Sequence, residues 1–232
     1  MNTVSATSGD SREAVIVRIA GLLGFLMVGI ALVVNLALFD SPTEGAAALA
    51  EPKTYISDQA GRMAIANGLR NLVFFCVPFW AAGLYTFTRC SPTLASNPWG
   101  IVGLLGAVAV ATVGTITNGV QTATFLNYGG ISEQRDTFLL LWSVTHVLFA
   151  AAQVFTAVWA AGFSLAGWQS GTMPRWLVGL GLITAAATLL TCVGIVSVMT
   201  GGWAQTVQLV SLALTLVWIL SASVLMVRWA SA

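Results

Sequence analysis

Six apolar runs, each about 20 residues or longer, dominate the chain: 19–39, 64–89, 99–126, 137–166, 175–199 and 204–229. About 20 apolar residues in helical conformation cross a bilayer's hydrocarbon core, and only helices and closed barrels satisfy their backbone polar groups there. The expected fold is therefore an all-α membrane protein, a single six-transmembrane-helix bundle over 18–232, preceded by a loose cytoplasmic tail over 1–17. Composition agrees, with 57% hydrophobic and 7% charged residues against roughly 25% charged in soluble domains. A signal-peptide core is about 7–15 residues long, so the run 19–39 reads as an uncleaved first span, although Ala48-Leu49-Ala50 resembles a cleavage site.

Local signals divide the loops. Ser41-Pro42-Thr43-Glu44 is a capping box with proline at the first helical position, which predicts a short extracytoplasmic helix stopped by Pro52. Ser57 is the expected cap of the second span and Ser132 that of the fourth, with Glu133 and Asp136 near the positive end of its dipole. Pro78 predicts a kink within the second span. Gly103, Ala107 and Ala111, like Ala157 and Ala161, have the small-residue spacing that admits a close helix neighbour. The two three-helix halves share only Arg18, Gly21 and Gly24 against Arg175, Gly179 and Gly181.

Orientation follows from the flanks. With the amino terminus inside, Arg12, Arg18, Arg89, Arg175 and Arg228 lie in cytoplasmic tails or short loops, and Lys53, Arg62, Arg70 and Arg135 lie outside. Trp99, Trp168, Trp176 and Trp229 then mark the inner interface, and both termini are expected in the cytoplasm.

Several functions are excluded by what the chain contains. A net charge of +1 offers no basic surface for nucleic acid. One histidine and three cysteines without a C-x-x-C pair argue against a metal site, an iron–sulfur cluster or bis-histidine haem, so no metal and no cofactor are expected. All eight acidic residues fall outside the predicted spans, and neither H-E-x-x-H nor G-x-S-x-G occurs. An enzyme is disfavoured on this inventory, and a proton-driven transporter loses weight for the same reason.

The polar residues inside the spans carry what functional signal there is. Thr115, Asn118, Gln121 and Thr122 share one face of the third span, and Trp142, His146, Gln153 and Thr156 share one face of the fourth. The short connection 126–135 sets those helices side by side. Arg70 and Asn71 in the second span and Gln205 and Gln208 in the sixth fall in the same outer half. The candidate ligand-binding set is therefore Arg70, Asn71, Asn118, Gln121, His146, Gln153, Gln205 and Gln208, lining an outward-facing polar cavity between the third, fourth and sixth spans. Guanidinium and amide donors suit a phosphate or carboxylate head, and Phe74, Phe125, Phe138 and Phe149 suit an apolar tail, so the expected partner is a membrane lipid or other amphiphilic anion.

Alternative roles use the same residues. In the first alternative the amides and Thr184, Thr188 and Thr191 are packing groups in a non-catalytic accessory or structural subunit, whose small-residue faces would meet other membrane subunits or a second copy. The second alternative is a cofactor-free membrane enzyme on a lipophilic substrate, with His146 as base, Arg70 holding an anion and Asp136 as outer partner. No other catalytic residue suggests itself.

Arg18-Ile19-Ala20-Gly21-Leu22-Leu23 opens the first span, and Gly171-Thr172-Met173-Pro174-Arg175-Trp176-Leu177-Val178-Gly179 opens the fifth. These segments resemble the corresponding parts of a bacterial six-helix membrane family, one of the groups defined as domains of unknown function. The resemblance implies a multi-pass protein of the bacterial cytoplasmic (inner) membrane, and it carries no functional residues onto this chain.

Overall fold

The computed structural model describes residues 8–38, 50–89, 97–199 and 202–231. Six long helices make up the fold: α1 Ser8–Val33, α2 Pro52–Arg89, α3 Pro98–Phe125, α4 Arg135–Ser170, α5 Arg175–Val193 and α6 Trp203–Trp229. Each is long and apolar enough to cross a membrane. A π-helical turn, Val34–Leu38, continues α1, and a short helix, Ile195–Met199, continues α5 after Gly194. Large apolar side chains stay exposed on every long helix, among them Ile19, Phe75, Leu105, Val147, Leu190 and Val217. Such a surface calls for lipid rather than water around it. The chain is a polytopic helical membrane protein.

Helix starts differ from expectation for local reasons. The chain is helical from Ser8, inside the segment read as a loose tail, because extending an existing helix adds one hydrogen bond for each residue fixed. α2 begins at Pro52, whose missing N–H costs nothing in the first turn. Ser57 is thus not a cap but a residue of the helix, its hydroxyl donating to the Thr54 carbonyl (3.0 Å). α4 is capped at Gln134, not at Ser132, which falls within the 3-10 turn Tyr128–Glu133. α3 begins at Asn97-Pro98, where the buried Asn97 side chain accepts from Gly100 N and donates to the Ala166 carbonyl (3.1 Å), fastening the start of α3 to the end of α4. The short helix expected after Ser41 lies outside the described residues.

Each long helix packs on the next, and α6 returns to α1. The result is an up-and-down ring with the start of α1 and the end of α6 on one side. At its centre α2, α4 and α6 each deliver one tryptophan: Trp80, Trp159 and Trp218 have ring centroids 5.5, 5.8 and 6.0 Å apart at steep interplanar angles. Edge-to-face packing of this kind is favourable beyond simple burial. Trp80 Nε1 donates to Ser223 Oγ (2.9 Å), which joins α2 to α6. Gly24 of α1 leaves room for this bond, since a Cβ there would sit 1.9 Å from Ser223 Oγ and 2.4 Å from Trp80 Nε1.

The small-residue faces are used inside the chain. A Cβ on Gly162 would lie 2.5 Å from Gly103 N, and one on Gly106 would lie 2.7 Å from Trp159 N, so α3 and α4 approach backbone to backbone. Ala107 and Ala111 are buried on the same face of α3, and Ala157 and Ala161 pack with Ala160 and Ala185 between α4 and α5. Those faces are not open to another subunit.

α2, at 38 residues, and α4, at 36, run well beyond one span. Their extra turns meet at the end away from the tryptophans, where Tyr55, Ile56 and Met63 pack with Phe125, Phe138 and Trp142, and Lys53 pairs with Glu133.

Candidate functional site

Between the tryptophan triad and this second aromatic cluster lies a cavity of about 600 Å³. Five of the six long helices line it, and α5 contributes no lining residue. Trp159 and Ile219 are at its floor with the triad behind them, and Tyr55, Met63 and Trp142 stand at the opposite end. A depression of about 360 Å³ between Lys53, Phe125 and Glu133 is separate and superficial.

Arg70, Asn118, Gln121, His146, Gln153, Gln205 and Gln208 all line the cavity. Asn71 does not. It is exposed, and it accepts from Asn118 Nδ2 (3.0 Å) at the seam between α2 and α3. Thr122 likewise serves that seam, accepting from Asn67 Nδ2 (3.1 Å), and Thr115 returns its hydroxyl to the Ala111 carbonyl. The lining also includes α1 and α2, so the site is wider than one bounded by α3, α4 and α6.

Arg70 reaches from α2 toward α3, where one guanidinium nitrogen donates to Asn67 Oδ1 (3.1 Å) and Gln121 Oε1 (3.4 Å). Glu133 is paired with Lys53. Two amide oxygens thus help to hold the guanidinium in place.

His146 lies one turn beyond Trp142, with ring centroids 4.6 Å apart and Nδ1 2.8 Å from the Trp142 carbonyl oxygen. A carbonyl only accepts, so Nδ1 carries the hydrogen and Nε2 of the neutral ring is the acceptor left for another molecule. Buried Trp142 Nε1, Trp159 Nε1 and Gln205 Oε1 lack a hydrogen-bond partner among the described residues, although all three residues line the cavity. Buried polar groups are normally paired, so these atoms are suited to a bound molecule.

Asn35 and Ser211 were not among the expected site residues, yet both line the cavity. Asn35 donates to the Ala31 carbonyl (2.7 Å) from within the π-helical turn. Its signal was one amide near the end of the first apolar run. Thr184, Thr188 and Thr191 do pack, each returning its hydroxyl to a carbonyl of α5.

No Asp or Glu is among the lining residues. The walls offer donors, acceptors and the Arg70 guanidinium beside extended apolar surface. No family model, curated protein or solved structure is similar to the chain.

Proposed function

We propose that this membrane protein binds or moves an amphiphilic, anionic, lipid-like molecule in the cavity, with its head at Arg70, Gln121, His146, Gln205 and Gln208. One observation carries the reading: polar residues from α2, α3, α4 and α6 converge on a single cavity whose other walls are apolar. Arg70 supplies charge, the glutamines supply both donors and acceptors, and Trp142 Nε1 is a further donor at the same end. The flanking arginines support both termini inside, and the resemblance of segments 18–23 and 171–179 supports a bacterial cytoplasmic-membrane setting.

An accessory-subunit role has less support, since the small residues it called on pack within the chain. An enzyme with His146 as base would need a second proton-handling group, and the lining supplies no carboxylate.

Native mass spectrometry of the protein released from mild detergent tests the proposal, with wild type compared against Arg70→Ala and His146→Ala. The expected result is a defined small amphiphile on wild type, weakened about tenfold or more in each variant, in keeping with the loss of a hydrogen bond to a charged group. An absence of adduct on wild type, or equal retention by both folded variants, overturns it.

A further inference from the structure

Resting on that reading, we infer that the cavity measures a single acyl chain, with the tryptophan triad as its closed end and a single-chain amphiphilic anion, a long-chain carboxylate or monoacyl phosphate, as its occupant. Helix geometry supplies the ruler. The mutual contacts of Trp80, Trp159 and Trp218 put those three positions at one level. Counting from them along each helix, Arg70 and Gln208 are about ten residues away and His146 about thirteen, which at 1.5 Å per residue is roughly 15–20 Å. The hydrocarbon of one leaflet is about 15 Å thick, half of the roughly 30 Å core, so the depth matches one lipid tail.

The walls over this stretch are apolar, with Phe74 and Val77 from α2, Phe149 from α4 and Leu216 from α6. Its threonines turn their hydroxyls inward to their own helices: Thr117 to Val113, Thr156 to Ala152 and Thr215 to Ser211. They therefore show the cavity methyl groups, and the polar exceptions are Gln153, Ser211, whose hydroxyl donates to the Gln208 carbonyl, and Trp159 Nε1 at the floor. Below the triad the bundle is solid, since Leu84, Phe163 and Met226 are fully buried in the core that contains the tryptophans. A volume of about 600 Å³ lies within the range of roughly 300–1,000 Å³ that holds a drug-sized molecule, which one chain with a small head matches and a two-chain lipid exceeds.

The test equilibrates the full-length protein with an equimolar homologous series of straight-chain carboxylates, and separately of monoacyl phosphates. Native mass spectrometry then compares retained chain lengths with those in the free mixture. Wild type should show an upper limit, with longer chains depleted about tenfold by the cost of overpacking. Val77→Phe and Leu216→Phe, both just above the triad, should each lower that limit by several methylenes; either one that folds suffices. The series that is retained names the head group. Retention without an upper limit, a limit unmoved in a folded variant, or a two-chain lipid retained in place of both series overturns the ruler while leaving an amphiphile site. No retention of any amphiphile by wild type overturns the site itself.

Discussion

At the scale of single residues, a polar side chain in a span does one of two jobs, and spacing alone does not tell them apart. Asn71 of the second span and Asn118 of the third stood equally among the expected site residues, yet Asn71 is exposed and ties α2 to Asn118, whereas Asn118 lines the cavity. Asn71→Ala should therefore lower stability by about 0.5–1.5 kcal/mol, the worth of one hydrogen bond, as read from thermal unfolding in detergent. The glycines divide in the same way. Gly106→Ala places a methyl 2.7 Å from the backbone nitrogen of Trp159, so α3 and α4 must separate at a cost of about 1–3 kcal/mol. Gly179→Ala meets nothing within 4 Å and should be neutral or stabilising by up to about 1 kcal/mol, since alanine restricts the unfolded chain. Equal thermal shifts in the two variants would mean that the close approach of α3 and α4 does not carry stability.

Among the elements, a pattern that comparison of halves passes over becomes visible once the helices are paired. Trp-Ala-Ala-Gly occurs at 80–83 in α2 and again at 159–162 in α4, and Trp218 takes the corresponding place in α6. In each of the first two motifs the glycine packs on the preceding helix, Gly83 against Ala20 and Gly162 against Gly103. The natural unit is thus a helical hairpin, used three times, rather than a three-helix half. The hydrogen bond from Trp80 to Ser223 joins the first hairpin to the third. A double-mutant cycle with Trp80→Phe and Ser223→Ala should give a coupling of about 0.6–1.7 kcal/mol, as for other interhelical bonds in membranes. Zero coupling would assign the tryptophan's role to packing alone. Span positions and the starts of α3, α5 and α6 were legible here, whereas the starts of α2 and α4 were not, because Pro52 reads equally as a stop and Gln134 makes no side-chain cap bond.

For the whole molecule, six antiparallel crossings put both termini on one side and the Lys53–Glu133 pair on the other. Single-cysteine labelling of a background lacking Cys76, Cys90 and Cys192 checks this with a membrane-impermeant reagent. Lys53→Cys and Glu133→Cys should react from one side, and Arg12→Cys and Ser231→Cys from the other. Reaction of all four from one side would overturn the topology. Ring closure, with α6 against α1, makes room for a central cavity, which a linear row of hairpins would not enclose.

The sequence by itself determined the number of spans, the helical class and most of the amide and ionisable residues that line the cavity, because hydrocarbon requires each span to satisfy its own backbone and makes every polar residue within it conspicuous. Only the tertiary structure decided which of those residues face the cavity, that α1 joins its wall and α5 does not, and that Trp159 lines it while Trp80 and Trp218 stay in the core. These outcomes rest on contacts between distant parts of the chain, such as Trp80 with Ser223 and Asn97 with Ala166. Such contacts depend on how whole helices turn against one another, and a local pattern of residues holds no record of that rotation.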